Sequence, residues 1–82
     1  MNDEEAVAAV RQALAQVVSE SEVSALTPDD PFREVLNMDS LDFLAFVEQL
    51  SELTQVRIDE DSYARLTTVT SCAHFLQAAR VG

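Results

Sequence analysis

The chain has no lysine and no tryptophan, one glycine, one cysteine and two prolines in 82 residues. A single cysteine, Cys72, excludes an internal disulfide, so the fold must rest on packing. With the one glycine at position 82, there is no glycine-rich phosphate loop. Any left-handed backbone corner falls to another residue, and asparagine is the commonest substitute. Positive charge is scarce as well. Five arginines face fifteen Asp and Glu, a formal net charge of -10 at pH 7. Such a surface repels phosphate backbones and anionic lipid, so no nucleic acid and no membrane is expected as a partner, whereas basic protein surfaces suit it. The same charge opposes self-association, which predicts a monomer, and makes the fold responsive to salt and divalent counterions.

Long apolar runs are missing too. None approaches the ~20 residues that a membrane-spanning helix needs. The N-terminal Met1-Asn2-Asp3-Glu4-Glu5 is acidic where a secretory or organellar signal would be basic, so the expectation is a soluble cytoplasmic protein. What is present is a globular composition, 48% hydrophobic and 24% charged. The length suits one small domain over residues 1–82 and is too short for two cores.

Periodicity gives helices throughout. Asn2 and Glu5 have the layout of a capping box. Val7, Val10, Leu14, Val17 and Val18 then recur at three- and four-residue steps, predicting a first helix that ends near Val18. Residues 19–38 read as a long connection pinned on the core by Val23, Leu26, Phe32, Val35 and Leu36. Pro28 and Pro31 around Asp29-Asp30 break regular structure, giving a turn over 27–32 followed by a short helical turn through Leu36. Asn37 is the best position in the chain for a positive φ.

Residues 37–53 carry the central pattern. Asp39 and Ser40 offer side-chain oxygens to first-turn amides, and Asp42 adds negative charge there, which predicts a helix over 40–53 with Ser40 at its mouth. At about 100° per residue, Phe43, Phe46, Val47, Leu50 and Leu53 form its core stripe. Leu41 and Leu44 fall on the far side with Glu48 and Glu52, which packing does not require.

After Leu53 comes an extended link with Val56 and Ile58 inward. Asp59 is expected to cap a short helix over 60–66 with Tyr63 and Leu66 inward. Thr67 or Thr68 caps a last helix over 69–80, with Val69, Cys72, Ala73, Leu76 and Ala79 at core spacing and Arg80 near its negative pole. The reading is all-α: a small antiparallel four-helix bundle with a long first loop and a short third helix.

The run Asp39-Ser40-Leu41-Asp42, preceded by Val35-Leu36 and followed by an apolar and acidic helix, resembles the modification site of acyl carrier proteins. The resemblance covers about residues 32–76. In that family the serine carries phosphopantetheine through a phosphodiester, and the arm ends in a thiol that holds acyl groups as thioesters. It implies that Ser40 bears the cofactor, so that the chain is a phosphoprotein and not an enzyme. The implied partners are a phosphopantetheinyl transferase and acyl-transferring or synthase enzymes with basic docking patches. They would be met by Asp39, Leu41, Asp42, Leu44, Glu48 and Glu52.

Asn37 stands where the family usually has glycine. Ala45 and Ser51 stand where the carriers of fatty-acid synthesis often have acidic residues, and Glu48 where they have an apolar one. The resemblance implies a fatty-acid-like or a specialised acyl or polyketide pathway of lipid metabolism, and that distribution speaks against the housekeeping carrier of fatty acid biosynthesis and leaves a specialised pathway open. Phe43 occupies a position often held by a smaller residue and Ala73 one often held by a larger aliphatic, so Phe43 is expected to reshape or shorten an acyl pocket between the helices.

Two other readings stay open. An aminoacyl carrier shares the serine arm and the bundle. An acidic helical interaction module without a prosthetic group would use Leu41 and Leu44 as a partner patch. No catalytic constellation is visible and no metal is expected. His74 is a lone histidine without a ligand cluster, expected at the surface or half-buried, and Cys72 is expected as a small buried hydrophobe. Asp59-Glu60-Asp61 lacks the glycine and ligand spacing of a calcium loop.

Overall fold

The computed structural model describes residues 1–79 of the chain, and the expectation for Arg80 lies outside them. The order is α1 (Asp3–Leu14), α2 (Glu20–Ala25), α3 (Phe32–Val35), α4 (Ser40–Thr54), a 3-10 helix (Glu60–Arg65) and α5 (Val69–Ala79). No strand occurs among the described residues, so the all-α bundle stands.

Asn2 caps α1 as a true capping box: its Oδ1 accepts the Glu5 amide at 2.8 Å, and Glu5 Oε1 accepts the Asn2 amide at 3.1 Å. The helix ends at Leu14 and not near Val18, and Val17 and Val18 lie half-buried in the turn that follows. Their apolar spacing continues, but the backbone turns, with the amides of Val17 and Val18 both donating to the Leu14 carbonyl at 3.0 and 2.9 Å. The expected plain connection over 19–38 holds a second helix, started by Ser19, whose Oγ accepts the Glu22 amide at 3.3 Å. Arg11 closes its far end by donating to the carbonyls of Val23 at 3.1 Å and Leu26 at 3.5 Å. Carbonyls left over at a helix end are thus satisfied by a side chain from another helix.

The turn over 27–32 is held where the prolines suggested. The Phe32 amide donates to the Thr67 carbonyl at 3.1 Å, and the Thr70 amide to the Pro28 carbonyl at 3.0 Å. Phe32 is fully buried as the anchor of α3, and Leu36 is half-buried. Val35, expected to pin this segment, is instead 54% exposed. A four-residue helix has room for one inward side chain, and Phe32 takes it.

The buried residues of all these segments form one contiguous cluster. Gln77 Nε2 donates to Asp3 Oδ1 at 3.1 Å, so the end of α5 lies beside the start of α1. Ala79 shares a surface depression with Gln55, Val56 and Arg57, so α4 and α5 end together and α1 runs opposite to both. Val10, Leu14, Phe46, Leu50, Val69, Cys72 and Leu76 meet in the middle with essentially no exposed surface.

Three expectations for the second half are corrected. Leu53 is 42% exposed, and Thr54 is buried in its stead. Thr54 can go in because its hydroxyl donates to the Leu50 carbonyl at 2.7 Å and accepts the Val56 amide at 3.3 Å. Ala79 is exposed, whereas Phe75, absent from the expected stripe, is buried with the Arg65 guanidinium 5.2 Å from its ring centroid. Asp59 occupies the cap position without a side-chain cap bond; it pairs with Arg57 at 3.0 Å, and the helix beyond is the tighter 3-10 form. The cap of α5 is Thr68, whose Oγ1 accepts the Ser71 amide at 2.9 Å while Ser71 Oγ accepts the Thr68 amide at 3.0 Å. Among the described residues no helix is long and apolar enough to cross a membrane.

Candidate functional site

The approach to Ser40 is set by three consecutive demands on the backbone. Asn37 takes the left-handed conformation at φ 53°, as the lack of glycine required. Met38 is buried, and its amide donates to the Arg33 carbonyl at 2.9 Å, which seats the chain before the helix. Asp39 then caps α4: its Oδ1 accepts the Asp42 amide at 2.9 Å, and Asp42 Oδ2 accepts the Asp39 amide at 3.5 Å. Because Asp39 supplies the cap, Ser40 is left as the first helical residue with no capping duty.

Ser40 is exposed, and its hydroxyl takes part in no hydrogen bond among the described residues. The amides of Ser40 and Leu41 are likewise without a protein partner, while those of Asp42 and Phe43 are taken by Asp39. A nucleophile-sized oxygen therefore stands beside two uncommitted N–H groups at the positive end of a fifteen-residue helix. A phosphodiester on that oxygen fits: it meets no steric wall, replaces no bond, and gains about 0.3–1 kcal/mol from the helix end when solvent-exposed.

The outer face of α4 collects the surplus leucines. Leu41 is 77% and Leu44 42% exposed, and Glu48 and Glu52 are exposed on the same side. Asp39 and Asp42 differ from these two glutamates, because their carboxylates are turned onto each other's backbone amides. Asp42 is half-buried and lies about 100° around the helix from Leu41, the member of that stripe next to it in the chain. Ser51 is half-buried, with its hydroxyl donating to the Val56 carbonyl at 2.8 Å, so it holds the exit of α4.

The described arginines are engaged elsewhere, although Arg57 also borders Glu52 in a surface depression at the end of α4. Arg11 is spent on carbonyls, Arg57 on Asp59, and Arg33 and Arg65 lie over aromatic rings. The Arg33 guanidinium sits 4.5 Å from the centroid of Phe43, one turn inward from Ser40. On its other edge Phe43 meets Tyr63 edge-on at 5.5 Å. Neither contact follows from helix periodicity, because each joins α4 to a different short helix.

His74 is exposed on α5, and no group of three metal-ligating side chains occurs among the described residues. Burial pushes the Cys72 thiol up to about 12, which makes it an inert filler of the core.

No curated protein matches the chain. The family model described as the phosphopantetheine attachment site matches residues 8–76, which takes in the packed half of α1, the whole of α4 and most of α5. An all-helical bundle with this match is a carrier domain of the kind that takes phosphopantetheine covalently, and the chain belongs to the phosphopantetheine-attachment family.

Proposed function

We propose that the chain is an acyl carrier protein whose phosphopantetheine is attached at Ser40. The observation that carries this reading is the free, exposed hydroxyl of Ser40 at the first position of α4, inside the matched region. When bound, the group supplies a terminal thiol on which an acyl group travels as a thioester, more reactive toward acyl transfer than an oxygen ester. Ser40 presents that group, and the capped first turn of α4 fixes its direction. The chain itself performs no catalysis in this reading and is passed between enzymes.

Leu41 and Leu44 supply apolar contact for those enzymes, and Val35, on the segment leading into the site, adds a third exposed apolar side chain. Glu48 and Glu52 attract basic patches. Such charges favour fast encounter over tight binding, which suits a carrier that must leave each enzyme. Asp39 and Asp42 add charge near the serine while serving chiefly as the cap. The sequence Asp39-Ser40-Leu41-Asp42 and the net charge of -10 favour acyl over aminoacyl cargo, in a fatty-acid-like or a specialised acyl or polyketide pathway.

Intact mass after incubation with coenzyme A and a broad-range phosphopantetheinyl transferase tests the reading. The expected gain is one phosphopantetheinyl group, absent in Ser40→Ala, with the fold of that variant unchanged. No gain in the wild type, or a gain that survives Ser40→Ala, overturns it. An interaction module without the group would instead keep its partner binding in Ser40→Ala and lose it in Leu44→Asp.

A further inference from the structure

One turn below Ser40 the interior is crossed by a continuous series of rings. Tyr63 of the 3-10 helix meets Phe43 at 5.5 Å, Phe43 meets Phe46 at 6.1 Å, and Phe46 meets Phe32 of α3 edge-on at 5.2 Å. Arg33 closes the outer side of Phe43 at 4.5 Å. Phe32 and Phe46 are fully buried and Phe43 nearly so. The belt thus links three elements around the end of the bundle that carries Ser40, and the aliphatic core of Leu14, Leu50 and Leu76 is buried within the same cluster. Of the described surface depressions, the one on the seam between α4 and the 3-10 helix is a shallow groove of about 370 Å³ lined by Val47, Glu48, Ser51, Glu52, Ile58 and Tyr63. Two carboxylates and two hydroxyl-bearing side chains make it a poor host for hydrocarbon.

We infer that this carrier keeps its cargo outside the bundle, and that the cargo is a short or polar acyl group. The inference rests on attachment at Ser40. An apolar chain tethered beside a hydrophobic core gains by leaving water only if the core opens to it. Here entry from the serine end requires parting Phe43 from Phe46, Tyr63 and Arg33 together. A long alkyl chain would therefore stay in water or lie on a groove flanked by glutamates. A short or polar group carries no such penalty.

The test is to load Ser40 with acetyl- and octanoyl-phosphopantetheine from the corresponding coenzyme A thioesters. Two quantities are then compared: methyl chemical shifts of the bundle, and the rate of thioester cleavage by hydroxylamine. The expected result is that Leu14, Leu50, Leu66 and Leu76 methyls coincide in the two forms. Hydroxylamine should then cleave the octanoyl form as fast as free octanoyl-pantetheine. Shifts confined to Val47 and Ile58 place the chain on the outer groove and also support the inference. Octanoyl-dependent shifts of Leu50, Leu66 or Leu76, or cleavage slowed several-fold, overturn it.

Phe43→Ala should open the belt, so that its octanoyl form gains these core shifts and cleaves several-fold more slowly; Phe43→Leu serves as the folded control if the alanine variant unfolds. If neither variant acquires a dependence on chain length, Phe43 is not the barrier and the argument from the belt falls. A chain that accepts no arm at all refutes attachment at Ser40 instead, so the two failures are told apart by mass before any shift is measured.

Discussion

Replacing Asp39 by alanine removes the oxygen that holds the first turn of α4 and therefore the mount of Ser40. The 2.9 Å bond from the Asp42 amide to Asp39 Oδ1 has good geometry, whereas the return bond from the Asp39 amide to Asp42 Oδ2 is 3.5 Å, at the outer limit. Loss of an N-cap acceptor costs about 1 kcal/mol, within a range of about 0.5–2. In a domain of this size that lowers the melting temperature by about 4–8 °C. Asp42→Ala forfeits mainly charge near the helix end, about 0.3–1 kcal/mol, and its effect should fade at high salt. Asp39→Asn keeps the acceptor and should lie between wild type and alanine. Thermal unfolding at low and high salt gives the order, and amide hydrogen exchange over residues 40–43 should localise the loss to the first turn. Equal costs for Asp39→Ala and Asp42→Ala, or an Asp39→Ala variant as stable as wild type, would refute the assignment of Asp39 as the cap.

Asn37→Gly and Gln55→Gly should each stabilise or leave stability unchanged, because both residues hold positive φ, 53° and 58°. Asn37→Val should cost about 1–2 kcal/mol in urea unfolding; a neutral valine would mean that the corner is not left-handed in solution. The buried Cys72 thiol should resist iodoacetamide at mildly alkaline pH in the folded protein and react only after unfolding. Its pH linkage has a definite sign. Unfolded, the thiol ionises near its ordinary 9.0, whereas folded it keeps its proton to about 12, so its contribution is full below pH 9 and is lost as pH rises through that window. Cys72→Ala should flatten that segment of the stability curve, and an unchanged slope between pH 9 and 12 contradicts the burial argument.

Local features of the chain could be read without a structure. The boxes at Asn2–Glu5 and Asp39–Asp42, the positive φ of Asn37, and the inward faces of Phe43, Phe46, Val47 and Leu50 all follow from bonds or periodicities within a few residues. Leu41 and Leu44 were legible as outward for the same reason, as was Ser40 at the start of α4. The family pattern around Ser40 lies in the same short stretch.

Other features depended on partners far along the chain. The start of α2 is local, capped by Ser19, but its far end is closed by Arg11, twelve residues before Val23. Thr54 and not Leu53 was taken in when the core closed around the end of α4, although the bonds that satisfy its hydroxyl, to the Leu50 carbonyl and from the Val56 amide, are themselves local. Gln55 took a left-handed cap with no glycine to announce it. The belt of Tyr63, Phe43, Phe46 and Phe32, with Arg33 against it, joins three helices whose mutual placement no local spacing encodes. Hydrogen bonds and repeats of four residues are written in the chain; contacts between separate helices exist only once the whole core has closed and decided which side chains lose their water.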